Sequence, residues 1–390
     1  MFNEITGCFA KENAVDAVHC TVNAISSPLW SWLVWILIGV GVFFTLTTGF
    51  VQLRLLGRSV KEIGGSRQNP NDPHGITSFQ AFVTGLASRV GTGNIAGVAL
   101  AIASGGPGAV FWMWVTALIG MSSAFAESTL AQVYKVRDKE TGLFRGGPAY
   151  YIAHGLNQRW LSILFSISLI FCFGFVYNSI QANTIVQAVQ SAAGMTTVHG
   201  VSEEVWDNYK HGIAAVLVIA SAPIIFGGIR RVSRFAEMLV PLMATLYLLM
   251  ALYIIITNIS LIPHVFGQIF DSAFNFEAAG GGLLGGLISQ TMMIGIKRGL
   301  YSNEAGQGSA PNAAAAAEVK HPVSQGMIQM LGVFVDTIIV CSCTAFIVLV
   351  YQQPYGDLSG AELTQAAIIS QVGAWGADFL AIILFMFAFS

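Results

Sequence analysis

Residues Thr84 to Gly108 read TGLASRVGTGNIAGVALAIASGGPG, and the fold turns on whether they make one helix or two. The stretch is apolar enough for a bilayer, yet Arg89-Val90-Gly91-Thr92-Gly93-Asn94 is poor helix material. Gly91 and Gly93 each cost roughly 1 kcal/mol relative to alanine in a helix interior. Thr92 and Asn94 carry side chains that compete for the hydrogen bonds of the helix ladder. Irregular backbone is tolerated at membrane depth only where protein or a water-filled cavity surrounds it. The spacing therefore predicts a broken membrane helix, the device with which many secondary transporters build a site near the bilayer midplane. The same glycines would also serve a close crossing of two intact helices.

Working outward, composition sets the class. The chain has 390 residues, 54% hydrophobic and 10% charged, against about 25% charged in a soluble domain. It is an all-α polytopic membrane protein by this reading, and 42 glycines fit helices packed through small residues. A formal charge of −2 argues against nucleic acid as a partner. Cys172, Cys341 and Cys343 lie in apolar runs and read as buried, inert residues. Cys8 and Cys20 share a polar N-terminal segment and would be free to pair if that segment is extracytoplasmic. No signal peptide is expected, because the first apolar run begins near Pro28, too late and too long.

Hydropathy gives nine candidate membrane segments: 29–53, 76–104, 108–134, 160–190, 211–229, 235–258, 283–316, 323–351 and 373–390. The loops after the first, third, fifth and seventh hold Arg54, Arg58, Lys61, Arg67, Lys135, Arg137, Lys139, Arg145, Arg159, Arg230, Arg231, Arg234 and Lys320. These are thirteen basic residues, against two (Lys11 and Lys210) on the opposite side. Positive charge gathers on the cytoplasmic side, so the N-terminus is expected outside and the loop 54–75 in the cytoplasm. The remaining basic residues, Arg89, Lys297 and Arg298, lie within the second and seventh segments.

Those same two segments are the glycine-interrupted ones. The seventh, LLGGLISQTMMIGIKRGLYSNEAGQGSAPNAAAAA (283–317), carries Gly295, Gly299, Gly306 and Gly308. Two interrupted helices at matching positions in oppositely oriented halves point to an inverted repeat. A break in the second segment exposes the amides of Thr92, Gly93 and Asn94 to a carboxylate. It also frees carbonyls near Ala87 and Val90 for a hard cation such as sodium, to which the Asn94 amide oxygen could add. Glu127 is expected to accept hydrogen bonds from the freed amides or to pair with Arg89; a solvated acid at a helix end is the alternative. Arg89 and Lys297 are expected at a cytoplasmic gate or snorkelling, and Asn303 and Glu304 as caps or pairs. Asn178, Gln181 and Asn183 are amides in apolar surroundings that need partners; Gln181, with Asn178 or Tyr177 beside it, could hold the solute, and Asp336 and Thr337 make a weaker version of the same case. Trp112 and Trp114 read first as an interfacial belt.

The stretches GTGNIAGVA (91–99), GGPGAVFWMWVTALIG (105–120), GGPAYYI (146–152) and SNEAGQGSAPNAAAAA (302–317) resemble the alanine or glycine:cation symporter family over essentially the whole chain. The resemblance implies sodium-coupled symport of small neutral amino acids by alternating access, with no cofactor, sodium as the coupling ion, and the cell (inner) membrane as its place. It also implies an architecture similar to the leucine transporter (a LeuT-type fold): a five-plus-five inverted repeat with one extra N-terminal helix. On that basis residues 1–28 form an extracytoplasmic segment, 29–53 the extra helix, 76–258 the first repeat and 283–390 an incomplete second repeat. By the same resemblance Thr92 and Gly93 present amides to the substrate, Asn94 sits beside it, and Gln181 and a break at Ile294–Gly295 shape the pocket. Ala87 and Val90 bind sodium together with Phe387 and Ser390 of the last segment, and Arg89, Glu127, Lys297 and Arg298 surround the site as gating residues. About nine of eleven helices are expected within these residues, as in a C-terminally truncated chain, which leaves a transport-inactive fragment as one alternative and proton coupling through Glu127 as another. An integral membrane enzyme is disfavoured, since the seven histidines form no HExxH and none pairs with Cys or Asp at useful spacing. A channel is disfavoured by the asymmetric breaks. Motifs do not rank alanine, glycine, serine or their enantiomers, nor do they set the oligomeric state.

Overall fold

The computed structural model describes residues 14–65, 76–192, 203–274, 290–356 and 358–390. Cys8, Arg67 and the 283–289 end of the seventh segment lie outside them, and with Cys8 the question of its pairing with Cys20.

The chain opens with α1 (Ala14–Thr47), which ends where Gly49 and Phe50 take positive φ. A short turn leads to the amphipathic α2 (Leu56–Gly65). Next comes α3 (Ser78–Arg89), whose start is fixed by a reciprocal cap: the Gln80 amide donates to Thr77 Oγ1 and the Thr77 amide to Gln80 Oε1, each at 3.1 Å. A π-turn over Gly93–Gly97 joins it to α4 (Val98–Gly105), and the two halves meet at 48°. The expected break is therefore present at Val90–Thr92.

The central element is α5 (Gly108–Val133), against which α1, α11, α12, α13 and α14 pack once the chain has wound around it. Gly108 permits one of these close approaches, since a Cβ there would stand 2.4 Å from the Ala273 nitrogen. A two-stranded hairpin, β1 (Val136–Arg137) and β2 (Phe144–Arg145), precedes α6 (Pro148–Gly155). α7 (Arg159–Phe171) passes through a π-turn at Cys172–Tyr177 into α8 (Asn178–Ala192). α9 (Glu203–Ile225), α10 (Gly228–Thr257) and α11 (Ile262–Ala273) follow. α12 (Gln290–Asn303) and α13 (Ala310–Ala316) flank an irregular stretch. α14 (Pro322–Val333) continues through a π-turn at Phe334–Cys341 into α15 (Ser342–Val350), and α16 (Gly360–Val372) and α17 (Trp375–Phe389) complete the bundle.

Among the described residues five helices are long and apolar enough to cross a membrane, and the bent α3–α4 pair makes a sixth. Tyr209–Ile225 and α17 are shorter apolar helices. In the span Arg159–Val189 only 6% of the most apolar window is buried; an apolar surface of that extent suits lipid rather than water. The core lies elsewhere, where Tyr247 and Ile254 of α10 meet Leu86, Ile328 and Phe387.

Two expectations shift. Hydropathy started the first helix at residue 29, but α1 begins at Ala14, so residues 14–28 are helical rather than a separate segment. Hydropathy marks the oily part of a helix and is blind to a polar extension. The region after 351, where hydropathy gives no membrane segment before 373, contains α16, whose AELTQAAIISQV is rich in good helix formers while too polar to score as a span.

Candidate functional site

The break after α3 disposes of its backbone groups in a specific way. The Gly91 amide donates to Asn94 Oδ1 at 2.9 Å, and the Thr92 amide to Gln181 Oε1 at 3.3 Å. On the other side, the carbonyl oxygens of Ala87, Val90 and Phe387 stand 3.4, 3.5 and 2.9 Å from Ser390 Oγ. A hydroxyl has one proton to give, so three carbonyls converging on it form an oxygen-rich nest with more lone pairs than donors. Such a set suits a hard monovalent cation.

Asn94 is wholly buried and does not line either cavity described below. Its Nδ2 donates to Asp336 Oδ1 at 2.6 Å and approaches Ser302 Oγ and Cys341 Sγ at 3.2 and 3.3 Å. Ser302 Oγ and Thr337 Oγ1 donate to Asp336 Oδ2 at 2.9 and 2.7 Å, and Thr344 Oγ1 donates to the Asn94 carbonyl at 2.7 Å. Asp336 is thus satisfied by three side chains from three elements. Of these partners, Ser302 and Cys341 carried no sequence signal beyond their place in apolar runs.

The second break is not where the sequence suggested. α12 runs unbroken through Ile294 and Gly295 and ends at Asn303; the irregular stretch is Glu304–Ser309, with positive φ at Glu304, Gly306 and Gly308. Gly295 serves packing instead, since a Cβ there would come within 2.4 Å of the Ala109 carbonyl and 2.7 Å of Trp112 Cβ. A single glycine between isoleucines is a tolerable cost in a helix, whereas two glycines with left-handed backbone are what a break demands. Glu304 accepts hydrogen bonds from Ser88 Oγ at 2.8 Å and from Ser309 Oγ, tying the second break to the residue before Arg89.

Glu127 accepts from the Gly306 amide at 3.3 Å. It caps the second break, not the first. Arg89 is 2% exposed and donates to the Gln329 carbonyl and Oε1 at 3.0 and 3.4 Å, while its Nε and Nη2 have no hydrogen-bond partner among the described residues. It therefore neither snorkels nor closes a mouth by pairing with Glu127. Lys297 and Arg298 are both half-buried on α12. Asn303 Oδ1 accepts from the Ala305 amide at 3.0 Å, the capping role expected of it. Asn178 bonds back to its own helix at Gly174, and Asn183 is exposed. Trp114 is not a belt residue, since its indole donates to Ser342 Oγ at 2.8 Å inside the bundle.

Two cavities flank the first break. The larger, about 400 Å³, is lined by Thr92 and Gly93 together with Thr184, Arg298, Tyr301 and Glu362. The smaller, about 210 Å³, is lined by Ala87, Ser88, Tyr177, Gln181, Phe387 and Ser390. Between them stand the Thr92–Gln181 hydrogen bond and the stacked rings of Tyr177 and Tyr301, 5.2 Å apart at 20°. Three π-turns supply residues around this partition: Asn94 from the first, Tyr177 from the second and Asp336 from the third. Such turns recur at functional sites because one extra residue per turn re-aims a side chain.

The model of the sodium:alanine symporter family matches residues 15–390. The amino-acid carrier protein AlsT of Bacillus subtilis is 50% identical, over 95% of this chain and 74% of that protein. The probable sodium/glutamine symporter GlnT of the same organism is 45% identical, over 94% of this chain and 73% of its own length. The sodium/alanine symporter AgcS of Methanococcus maripaludis is 40% identical, over 95% of this chain and 79% of its own.

Proposed function

Because the chain belongs to the sodium:alanine symporter family, we propose that it uses an inward sodium gradient to take up small neutral amino acids, alanine or glycine, by alternating access. Sodium, in this reading, is held between α3 and α17 by the carbonyls of Ala87, Val90 and Phe387 and by the Ser390 hydroxyl. That convergence of four oxygens is the observation that carries the proposal. The amides of Thr92 and Gly93 take the substrate carboxylate, and Gln181 releases the Thr92 amide when substrate arrives. Asn94 acts from behind, holding the broken backbone against Asp336. Ser88 and Glu304 hold the two breaks together, Glu127 caps the second and Arg89 ties the first to Gln329; Arg298 lines the approach, with Lys297 beside it as a gating residue. Ile294 and Gly295 are left out of the pocket.

The architecture proposed is the leucine-transporter type, with an extra helix before a five-plus-five inverted repeat; two breaks in oppositely directed segments support it. The N-terminus lies outside and the loop 54–75 in the cytoplasm of a cell whose inner membrane holds the protein, as the thirteen-to-two division of basic residues argues. The test is uptake of radiolabelled alanine into proteoliposomes containing the protein. Accumulation should follow an inward sodium gradient, and uptake indifferent to sodium would sink the coupling. Proton coupling is the second reading, favoured by three buried carboxylates, Glu127, Glu304 and Asp336. Accumulation driven by a pH gradient without sodium would support it.

A further inference from the structure

The larger cavity contains two charges of opposite sign for which the transport scheme has assigned no partner. Arg298 stands on α12 one turn before Tyr301, and Glu362 lies in the first turn of α16; both line the cavity that Thr92 and Gly93 also line. The ion pair found between described residues joins Asp138 to Arg145 on the hairpin, so Arg298 and Glu362 face the cavity without neutralising each other. Arg298 is half-buried and Glu362 exposed. Among the described residues no carboxylate pairs with this partly desolvated guanidinium, and an arriving anion would supply charge-assisted hydrogen bonds.

The rest of the cavity wall is uncharged: Thr184 and the amides of Gln187 and Gln365 add polarity, and Leu380 and Leu384 add apolar surface. A simple anion would satisfy Arg298 and be repelled by Glu362; a simple cation would do the reverse. A molecule that carries both charges answers both at once. We infer that Arg298 and Glu362 form an entry subsite that selects the zwitterionic α-amino acid, its carboxylate on Arg298 and its ammonium on Glu362. This rests on the transport reading above. Subsite and break share one cavity, and Tyr301 packs at its Gly93 end, Cε1 3.1 Å from where a Cβ on Gly93 would stand.

The experiment is competition in sodium-driven alanine uptake by proteoliposomes, comparing wild type with Arg298→Gln and Glu362→Gln. Competitors are alaninamide, which lacks the carboxylate charge, and lactate, which lacks the ammonium. Each substitution should raise the alanine KM about tenfold, the factor that one lost charge contact of 1.4 kcal/mol represents. Arg298→Gln should also weaken the preference for alanine over alaninamide about tenfold, and Glu362→Gln the preference over lactate by the same factor. Glu362 is exposed, so that variant keeps its fold even if the arginine variant does not. Unchanged KM in Glu362→Gln overturns the subsite. So does a fall in maximal rate with both preferences intact, which is what a purely gating or structural pair would give. If the wild type takes up no alanine at all, the transport reading fails and the subsite falls with it; normal wild-type uptake with unaltered variants removes the subsite alone.

Discussion

Ser390→Ala removes the only side-chain oxygen from the nest formed with Ala87, Val90 and Phe387. Losing one ligand should raise the sodium concentration for half-maximal uptake about tenfold, the equivalent of 1.4 kcal/mol, with little change in alanine affinity at saturating sodium. A sodium titration of uptake reads this directly. Asn94→Ala withdraws one of the three donors to a buried carboxylate, and leaving such a group short costs about 1–3 kcal/mol. Uptake should be lost while insertion into the membrane persists, and Gln181→Ala, which removes the side chain that positions the Thr92 amide at the break, should have the same outcome. Full transport by both variants would remove the pocket assignment. Residue chemistry was legible here because backbone breaking is local: Gly91, Thr92, Gly93 and Asn94 announce it within six positions. The facing direction of Asn94 was not legible, because its partner Asp336 is 242 positions away and on another helix.

Elements carry different lessons. Gly295 sits where α12 crosses α5, and a side chain there meets backbone that cannot retreat. Gly295→Val should cost about 1–3 kcal/mol through overpacking and lower the melting temperature in detergent. Gly267, in α11, has nothing near its missing Cβ, so Gly267→Ala should gain about 1 kcal/mol at most from helix propensity. If both variants melt alike, the close crossing is not what the first glycine provides. The hairpin has its own dependence on acid. Asp138 accepts from the amides of Thr141 and Glu140 at 2.8 and 2.9 Å and pairs with Arg145. These bonds, the Thr141 amide foremost, hold its carboxyl below the ordinary aspartate range. A folded value below the unfolded one means the stabilisation is whole above about pH 4 and drains away as pH falls through the folded value. Protection factors for amide exchange at Glu140 and Thr141 should fall over that window and hold steady above it. The second break escaped sequence reading because SNEAGQGS is polar enough to pass for a helix end, while Gly295 lies in the apolar stretch where a break was sought.

At the scale of the whole molecule, hydropathy found where oily helices lie and missed what runs beside them. α16 was hidden because a helix that lines a cavity needs polar residues such as Glu362 and Gln365, and these erase its hydropathy signal. One further arrangement binds the bundle together. Ile76, just before α3, pairs as a parallel bridge with Ala317, just after α13, and the Glu318 amide donates to the Ile76 carbonyl at 3.1 Å. Lys135 Nζ and Gln132 Nε2 from the end of α5 donate to the same Ala317 carbonyl at 2.7 and 3.0 Å. The feet of both broken helices and of the central helix are therefore laced at one point. Loosening one of them costs hydrogen bonds of the others, so opening at that end is expected as one event. Release of the ion and of the amino acid there should show one common Arrhenius slope, and neither should slip through while the other stays behind.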